Sequence, residues 1–106
     1  MQKLTINIQE QYLEGVLAMI KQYVPEYEVW AYGSRVTGGA WEASDLDLVV
    51  RNPKDLTQTC DKLSELQTAF VNSNLPICVD LMDWARISQS FRDQILRGYV
   101  VLQSVD

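Results

Sequence analysis

Aspartates at alternating positions are the residues of this sequence with the clearest potential for chemistry. Asp45 and Asp47 belong to the stretch Ser44-Asp45-Leu46-Asp47-Leu48, in which carboxylates alternate with apolar side chains. In a β-strand this alternation places both carboxylates on one face. Like charges at this spacing repel each other, and a divalent cation between them makes the arrangement favourable. Carboxylate oxygens of this kind suit Mg²⁺ or Mn²⁺ rather than zinc.

A third aspartate, Asp80, stands between Val79 and Leu81 in a later apolar run. If the strand that contains Asp80 pairs with the strand of Asp45 and Asp47, all three carboxylates share one face. The alternative is an ordinary half-exposed sheet, because strands that face water commonly alternate polar and apolar residues. A single D-x-D motif is weak evidence for a metal site.

A small glycine-rich loop precedes the two alternating aspartates. Gly33 ends an apolar and aromatic run, and glycine allows the backbone to come close to a ligand. Backbone N–H groups and the Ser34 hydroxyl can then donate to phosphate oxygens. Arg35 follows directly and could pair with a phosphate in a forked geometry. Alternatively, Gly38-Gly39 makes a simple hairpin turn and Arg35 is a solvated side chain.

The composition excludes several classes of function. Nine Lys and Arg against 14 Asp and Glu give a formal net charge of −5, which argues against general nucleic-acid binding. The absence of histidine excludes Ser-His and Cys-His nucleophilic systems. We expect Cys60 and Cys78 to be free thiols in a cytoplasmic protein. The N-terminus lacks a signal-peptide core, and no run approaches the roughly 20 apolar residues of a membrane helix.

One α/β domain over residues 1–106 is expected to position these groups. The pattern predicts a first helix from Asn7, with Glu10 in a capping-box-like pair. It predicts a long helix capped by Asp55 and Gln58, with an apolar stripe that ends at Phe70. The predicted strands are Glu28 to Tyr32, Asp45 to Arg51 and Pro76 to Met82; Ser88 or Ser90 caps a last helix, and Tyr99 to Gln103 is a strand or an extended tail. This order favours a mixed β-sheet with helices packed on one face and the other face available for function.

The ordered combination of these signals is more specific than any one of them. Gly33 and Ser34 at a strand end, a ten-residue spacer, Asp45-Leu46-Asp47-Leu48 and a later strand aspartate, Asp80, occur in one order. This order resembles the DNA polymerase beta-like nucleotidyltransferase superfamily. Within that superfamily the short chain is similar to the minimal nucleotidyltransferase (MNT) family, and the resemblance runs from the first helix to the last. One position departs from it, because many members have a basic residue where this chain has Thr37.

The resemblance implies a mixed-sheet, polymerase beta-like fold. It also implies transfer of a nucleoside monophosphate from a nucleoside triphosphate to a hydroxyl, with ATP as the expected donor. It implies that Asp45, Asp47 and Asp80 are catalytic and bind two Mg²⁺ ions, with Mn²⁺ as an alternative. Gly33, Ser34, Arg35 and Ser44 would bind the nucleotide. With Thr37 in place of a basic residue, neutralisation of the triphosphate depends mainly on the metal ions.

Minimal members of the family resemble antitoxins that act on a helical HEPN-type partner, by adding AMP to a partner tyrosine. Trp41 and Trp84 flank the aspartate strands and either contribute to a partner surface or pack at the rim of a small core. Two alternative functions stay open. One is a nucleotidyltransferase for a small hydroxylated molecule such as an aminoglycoside, and the other is a non-catalytic subunit that neutralises a helical partner by occlusion.

Overall fold

The computed structural model describes residues 6–38 and 45–105, in which four strands form one mixed sheet. Strands and helices alternate along much of the chain, as the sequence pattern predicts. The elements are α1 (Glu10–Tyr23), β1 (Glu28–Tyr32), α2 (Ser34–Thr37), β2 (Leu46–Arg51), α3 (Leu63–Val71), β3 (Val79–Asp83), a 3₁₀ helix (Trp84–Arg86), α4 (Gln89–Leu96) and β4 (Tyr99–Gln103).

The sheet order is β3-β2-β1-β4. β1 lies antiparallel to both β2 and β4, whereas β2 and β3 are parallel. The predicted mixed sheet is therefore confirmed, and so is the pairing of the second strand with the third. Within the described residues, no helix is both long enough and apolar enough to cross a membrane.

The main core lies between one face of the sheet and the two longest helices. Val16 and Ile20 of α1 and Leu66 of α3 are fully buried there, together with Leu48 and Val50 of β2. Burial of these aliphatic side chains is the main driving force for the fold. This is the face on which the sequence predicts helices to pack.

The opposite face of the sheet is only partly covered. Trp30 and Val49 are buried on it beneath Trp84 of the 3₁₀ helix and Ile95 of α4. Ser88 begins α4 as a side-chain cap, because its Oγ accepts from Phe91 N–H at 3.1 Å. Of the two predicted cap residues, Ser88 is the one that caps α4. The rest of this face carries the aspartates.

The first helix begins later than the sequence pattern predicts. Gln9, rather than Asn7, precedes α1, and no side chain caps the helix. Asn7 is instead paired with Arg35: its N–H donates to Arg35 O at 2.6 Å, and its carbonyl accepts from Arg35 Nη1 at 2.7 Å. These long-range bonds hold Asn7 out of the helix.

The predicted helix from Asp55 is wrong in its first half, because α3 begins only at Leu63. Asp55 Oδ1 accepts from both the N–H and the hydroxyl of Thr57, at 3.0 and 2.6 Å. Such local side-chain bonds compete with helix formation. Further along, Cys60 N–H donates to Asp83 Oδ2 at 2.8 Å, which ties this loop to β3. The third strand begins at Val79 rather than Pro76 and extends to Asp83.

Candidate active site

Two carboxylates stand side by side on the partly open face of the sheet. In the parallel register of β2 and β3, Asp47 pairs directly with Asp80. Both side chains are half-buried, while Asp45 is exposed and lies immediately before β2. The apolar neighbours Leu46 and Leu48 are fully buried on the helix side. The structure thus brings Asp47 and Asp80 together as the alternation predicts, and places Asp45 near them.

Negative charge dominates the electrostatics around Asp47. Burial is the main reason that the pKa of Asp47 lies above its ordinary value, and the charges of Asp80 and then Asp45 raise that pKa further. All three causes disfavour the ionised carboxylate. A bound cation would reverse this, because it stabilises the ionised form.

Gly33 lies directly against the Asp47 carboxylate. Its φ of +82° is in the left-handed region that favours glycine. A Cβ at this position would collide with Asp47 Oδ2 and would lie 3.3 Å from Asp47 Cγ. Gly33 also precedes α2, whose first residue is the half-buried Ser34. The glycine loop and the carboxylate strand are therefore parts of one site.

Arg35 lies away from the open surface of this loop. It is 7% exposed, and its Nη1 donates to the Asn7 carbonyl. The side chain therefore attaches the segment before α1 to α2. Thr37, at the position that is often basic in the MNT family, donates its hydroxyl to Gly33 O at 3.1 Å. The predicted nucleotide-binding residue Ser44 lies outside the described residues.

Tyr32 is a site residue that sequence reasoning missed. In the antiparallel register of β1 and β2 it is the direct partner of Asp47. Burial, followed by the charges of Asp47 and Asp80, raises its pKa well above the ordinary value for tyrosine. Its position before Gly33 is visible in the sequence, but the β1–β2 register that places it beside Asp47 is not.

An aromatic cluster further along the same face is structural. Trp84 is 6% exposed and packs edge-on against Trp30, with ring centroids 5.6 Å apart. Arg51 Cζ lies 4.0 Å from the Trp30 ring centroid and 4.5 Å from that of Trp84. Burial of Trp84 supports packing rather than an exposed partner surface. Trp41 lies outside the described residues.

The side chains of the site fit a divalent cation that takes some of its ligands from the protein and the others from a substrate. Within residues 6–38 and 45–105, no group of three or more His, Cys, Asp or Glu side chains is arranged to hold a metal ion. Mg²⁺, however, is commonly bound through one or two carboxylates plus substrate phosphates. Asp47 and Asp80 supply hard oxygen ligands in register, so the residues fit such an ion.

Comparison with known proteins agrees with this geometry. The family described as Polymerase beta, Nucleotidyltransferase matches residues 18–106. A relative from Haemophilus influenzae, named as a probable protein adenylyltransferase MntA, is 44% identical over 99 residues. That match covers 92% of this chain and 84% of the relative.

Two solved structures share the fold. One, described as a toxin-antitoxin with AMP-PNP, superposes with a TM-score of 0.70 at 22% identity, over 88% of this chain and 73% of that one. The other is a tri-AMPylated Shewanella oneidensis HEPN toxin in complex with an MNT antitoxin. It gives a TM-score of 0.67 at 21% identity, over 92% and 74% of the two chains. By its sequence match and its fold, the chain belongs to the polymerase beta-type nucleotidyltransferase family.

Proposed function

We propose that this chain is a metal-dependent adenylyltransferase that transfers AMP from ATP to a hydroxyl. The observation that carries the proposal is the direct pairing of Asp47 with Asp80 beside Gly33. This arrangement sets hard oxygen ligands directly against a glycine loop whose backbone N–H groups and Ser34 hydroxyl can donate to phosphate oxygens. The 44% identity to the Haemophilus influenzae relative supports adenylyl transfer as the reaction.

Each element of the site has a distinct role in this proposal. Asp45, Asp47 and Asp80 would hold two Mg²⁺ ions, with Mn²⁺ as an alternative. When bound, such ions neutralise charge on the phosphates and help to align an in-line displacement at the α-phosphorus. Ser34 and the neighbouring backbone N–H groups hold the terminal phosphates.

The attacking hydroxyl enters on the side of Asp80. The new bond forms between its oxygen and the α-phosphorus while the bond to pyrophosphate breaks. The chain has no histidine, so a carboxylate is the natural acceptor for the hydroxyl proton. Asp80 is half-buried on β3, with its direct strand partner Asp47 on the phosphate side. Asp80 therefore accepts the proton in this scheme.

The acceptor that we propose is a tyrosine of a helical HEPN-type partner, and the chain acts as the antitoxin of that pair. The support is the family relative named MntA and the fold shared with an MNT antitoxin that is bound to an AMPylated HEPN toxin. We also propose a cytoplasmic location. Cys60 and Cys78 are both free thiols, as is usual in a reducing compartment.

The test is intact-mass spectrometry of the partner protein. The chain is purified together with the protein encoded next to it and incubated with Mg²⁺ and each nucleoside triphosphate in turn. We expect mass steps of one or more AMP units on the partner, with ATP and not with the other triphosphates. The double variant Asp45→Asn and Asp47→Asn should abolish these steps, while Asp61→Asn, an exposed carboxylate outside the site, should retain them.

The outcomes separate the alternatives. If the native chain and the double variant both bind the partner tightly and the mass of the partner does not change, the proposed enzymatic activity is contradicted and occlusion is supported. Transfer to small hydroxylated molecules, with the partner unmodified, would contradict the protein acceptor and retain the chemistry.

A further inference from the structure

A transverse row of four side chains crosses the sheet face that carries the carboxylates. The strand registers align Asp80 with Asp47, Asp47 with Tyr32, and Tyr32 with Tyr99. Opposite residues of an antiparallel pair have Cβ atoms about 4.5–5.5 Å apart. The ring of Tyr32 therefore lies beside the Asp47 carboxylate, on the side away from Asp80.

The ring of Tyr32 is fixed, whereas its hydroxyl has no partner within the described part of the chain. Tyr32 is 9% exposed, and its ring packs edge-on against Phe91, with centroids 5.8 Å apart and an interplanar angle of 82°. No hydrogen bond to another described residue involves the hydroxyl. Nor is its oxygen among the fully buried unpaired atoms of those residues, which are Trp30 Nε1 and Arg51 Nε. The hydroxyl oxygen therefore retains contact with solvent.

The hydroxyl is protonated at physiological pH, because a phenol ordinarily loses its proton only at about pH 10. The side chain therefore has one O–H to donate. A rigid donor at a surface of negative groups suits an anionic acceptor that arrives with its own cation.

We propose that the Tyr32 hydroxyl binds the nucleotide by donating a hydrogen bond to a phosphate oxygen of the triphosphate. This inference rests on the proposed nucleotidyltransferase function. Two observations favour the phosphates over the acceptor hydroxyl as the group that Tyr32 contacts. Tyr32 directly precedes Gly33 and Ser34, and in the transverse row Asp47 separates it from Asp80, the acceptor side.

The test compares the native chain with Tyr32→Phe, which keeps the ring against Phe91 and removes only the hydroxyl. The probe is α,β-methylene ATP with Mg²⁺, measured by isothermal titration calorimetry. Hydrogen bonds to charged groups predict about a ten- to hundredfold loss of affinity. The affinity for pyrophosphate with Mg²⁺ should fall in the same way, while the affinity for adenosine should not change. Tyr99→Phe, the neighbour in the row with its ring stacked on Trp30, should change none of the three.

A second variant guards against a folding defect. Tyr32→Met also removes the hydroxyl and fills the space with an adaptable apolar side chain, so the same selective loss is expected. Unchanged affinity for α,β-methylene ATP in both variants would overturn the proposal. An equal loss of affinity for adenosine would also overturn it, because it indicates general damage to the site. So would an AMP unit found on Tyr32 itself, because Tyr32 would then be an acceptor.

The same experiment distinguishes this inference from the proposed function. If the native chain binds the analogue and modifies its partner while Tyr32→Phe behaves identically, only the role of Tyr32 is contradicted. If the native chain neither binds the analogue nor transfers AMP, both are contradicted.

Discussion

Asp47 and Asp80 are direct partners in the parallel pair of β2 and β3, so two half-buried carboxylates stand side by side on one face of the sheet. The charge of Asp80 contributes to the raised pKa of Asp47. In the absence of a cation this arrangement costs free energy of folding. The carboxylates that suit a cation therefore lower the stability of the cation-free chain, and this loss of stability can be measured.

The first prediction concerns Asp47→Asn and pH. Burial is the main reason that the pKa of Asp47 in the folded chain lies above its ordinary value of 3.8. Between the pKa of the unfolded chain and that of the folded chain, the folded state therefore binds more protons than the unfolded state. The stability of the native chain therefore falls as the pH rises through this window. Asp47→Asn removes that loss. In EDTA, its free energy of unfolding should exceed that of the native chain at pH 7 and converge with it towards pH 4, as measured by urea denaturation.

The control for this prediction is Asp61→Asn, which removes an exposed charge outside the site and should show no such pH-dependent gain. With Mg²⁺ and α,β-methylene ATP the order should reverse, because ligand binding stabilises only the chain that retains its site. A native chain as stable as Asp47→Asn throughout this pH range would contradict the view that the charge of Asp47 is destabilising.

The second prediction compares two glycines that both have positive φ. Gly33→Ala introduces a Cβ that collides with Asp47 Oδ2, whereas a Cβ at Gly38 meets no atom of the described residues within 4 Å. Both variants bear backbone strain of about 1–3 kcal/mol. Only Gly33→Ala should also displace the carboxylate, so AMP transfer should fall much further than in Gly38→Ala. Urea unfolding and transfer rates of the two variants check this, and equal transfer rates would contradict the close contact.

The sequence predicts local features of this site better than it predicts long-range ones. Alternation in Asp45-Leu46-Asp47 predicts the face of each side chain, and the structure agrees for Leu46 and Asp47, the two that lie within β2. The strand register that aligns Tyr32 with Asp47 depends on pairing between distant segments, which no local pattern records. The contact between Gly33 and Asp47 was missed for the same reason.

The errors in the predicted helices have a related cause. Asp55 has the residue type and the spacing of a helix cap, but its carboxylate bonds locally to Thr57. Cys60 continues a convincing helical stripe, yet its N–H is taken by Asp83, 23 residues away. Tertiary hydrogen bonds of this kind override local propensity. Where no such bond intervenes, as at Ser88, the predicted cap forms.

The third prediction concerns the N-terminus of α4, which carries Phe91 against Tyr32. Ser88 Oγ accepts from Phe91 N–H, and loss of such a cap costs about 1 kcal/mol. Ser88→Ala should lower the free energy of unfolding by that amount in urea denaturation. Ser90→Ala, within the exposed first turn of the same helix, is the matched control and should have little effect. Equal losses in both variants would contradict the assignment of Ser88 as the cap.

The last prediction separates a structural aspartate from the catalytic ones. Asp83 lies on β3, three residues after Asp80, but it is 4% exposed and its register partner is Val50, a residue of the helix-side core. Its carboxylate accepts from Cys60 N–H at 2.8 Å and from Ala85 N–H at 3.3 Å. Asp83→Ala leaves both donors unpaired and should lower the free energy of unfolding by about 2–4 kcal/mol.

The affinity of the Asp83→Ala variant for α,β-methylene ATP, measured below its unfolding temperature, should be unchanged, because Asp83 lies on the opposite face of the sheet from Asp47. Arg86→Ala is the matched control. Arg86 Nε lies 3.9 Å from Asp83 Oδ2, but its side chain is 73% exposed, and exposed ion pairs contribute little. If Arg86→Ala destabilises the chain as much as Asp83→Ala, the ion pair rather than the two backbone hydrogen bonds holds the loop before α3 against β3.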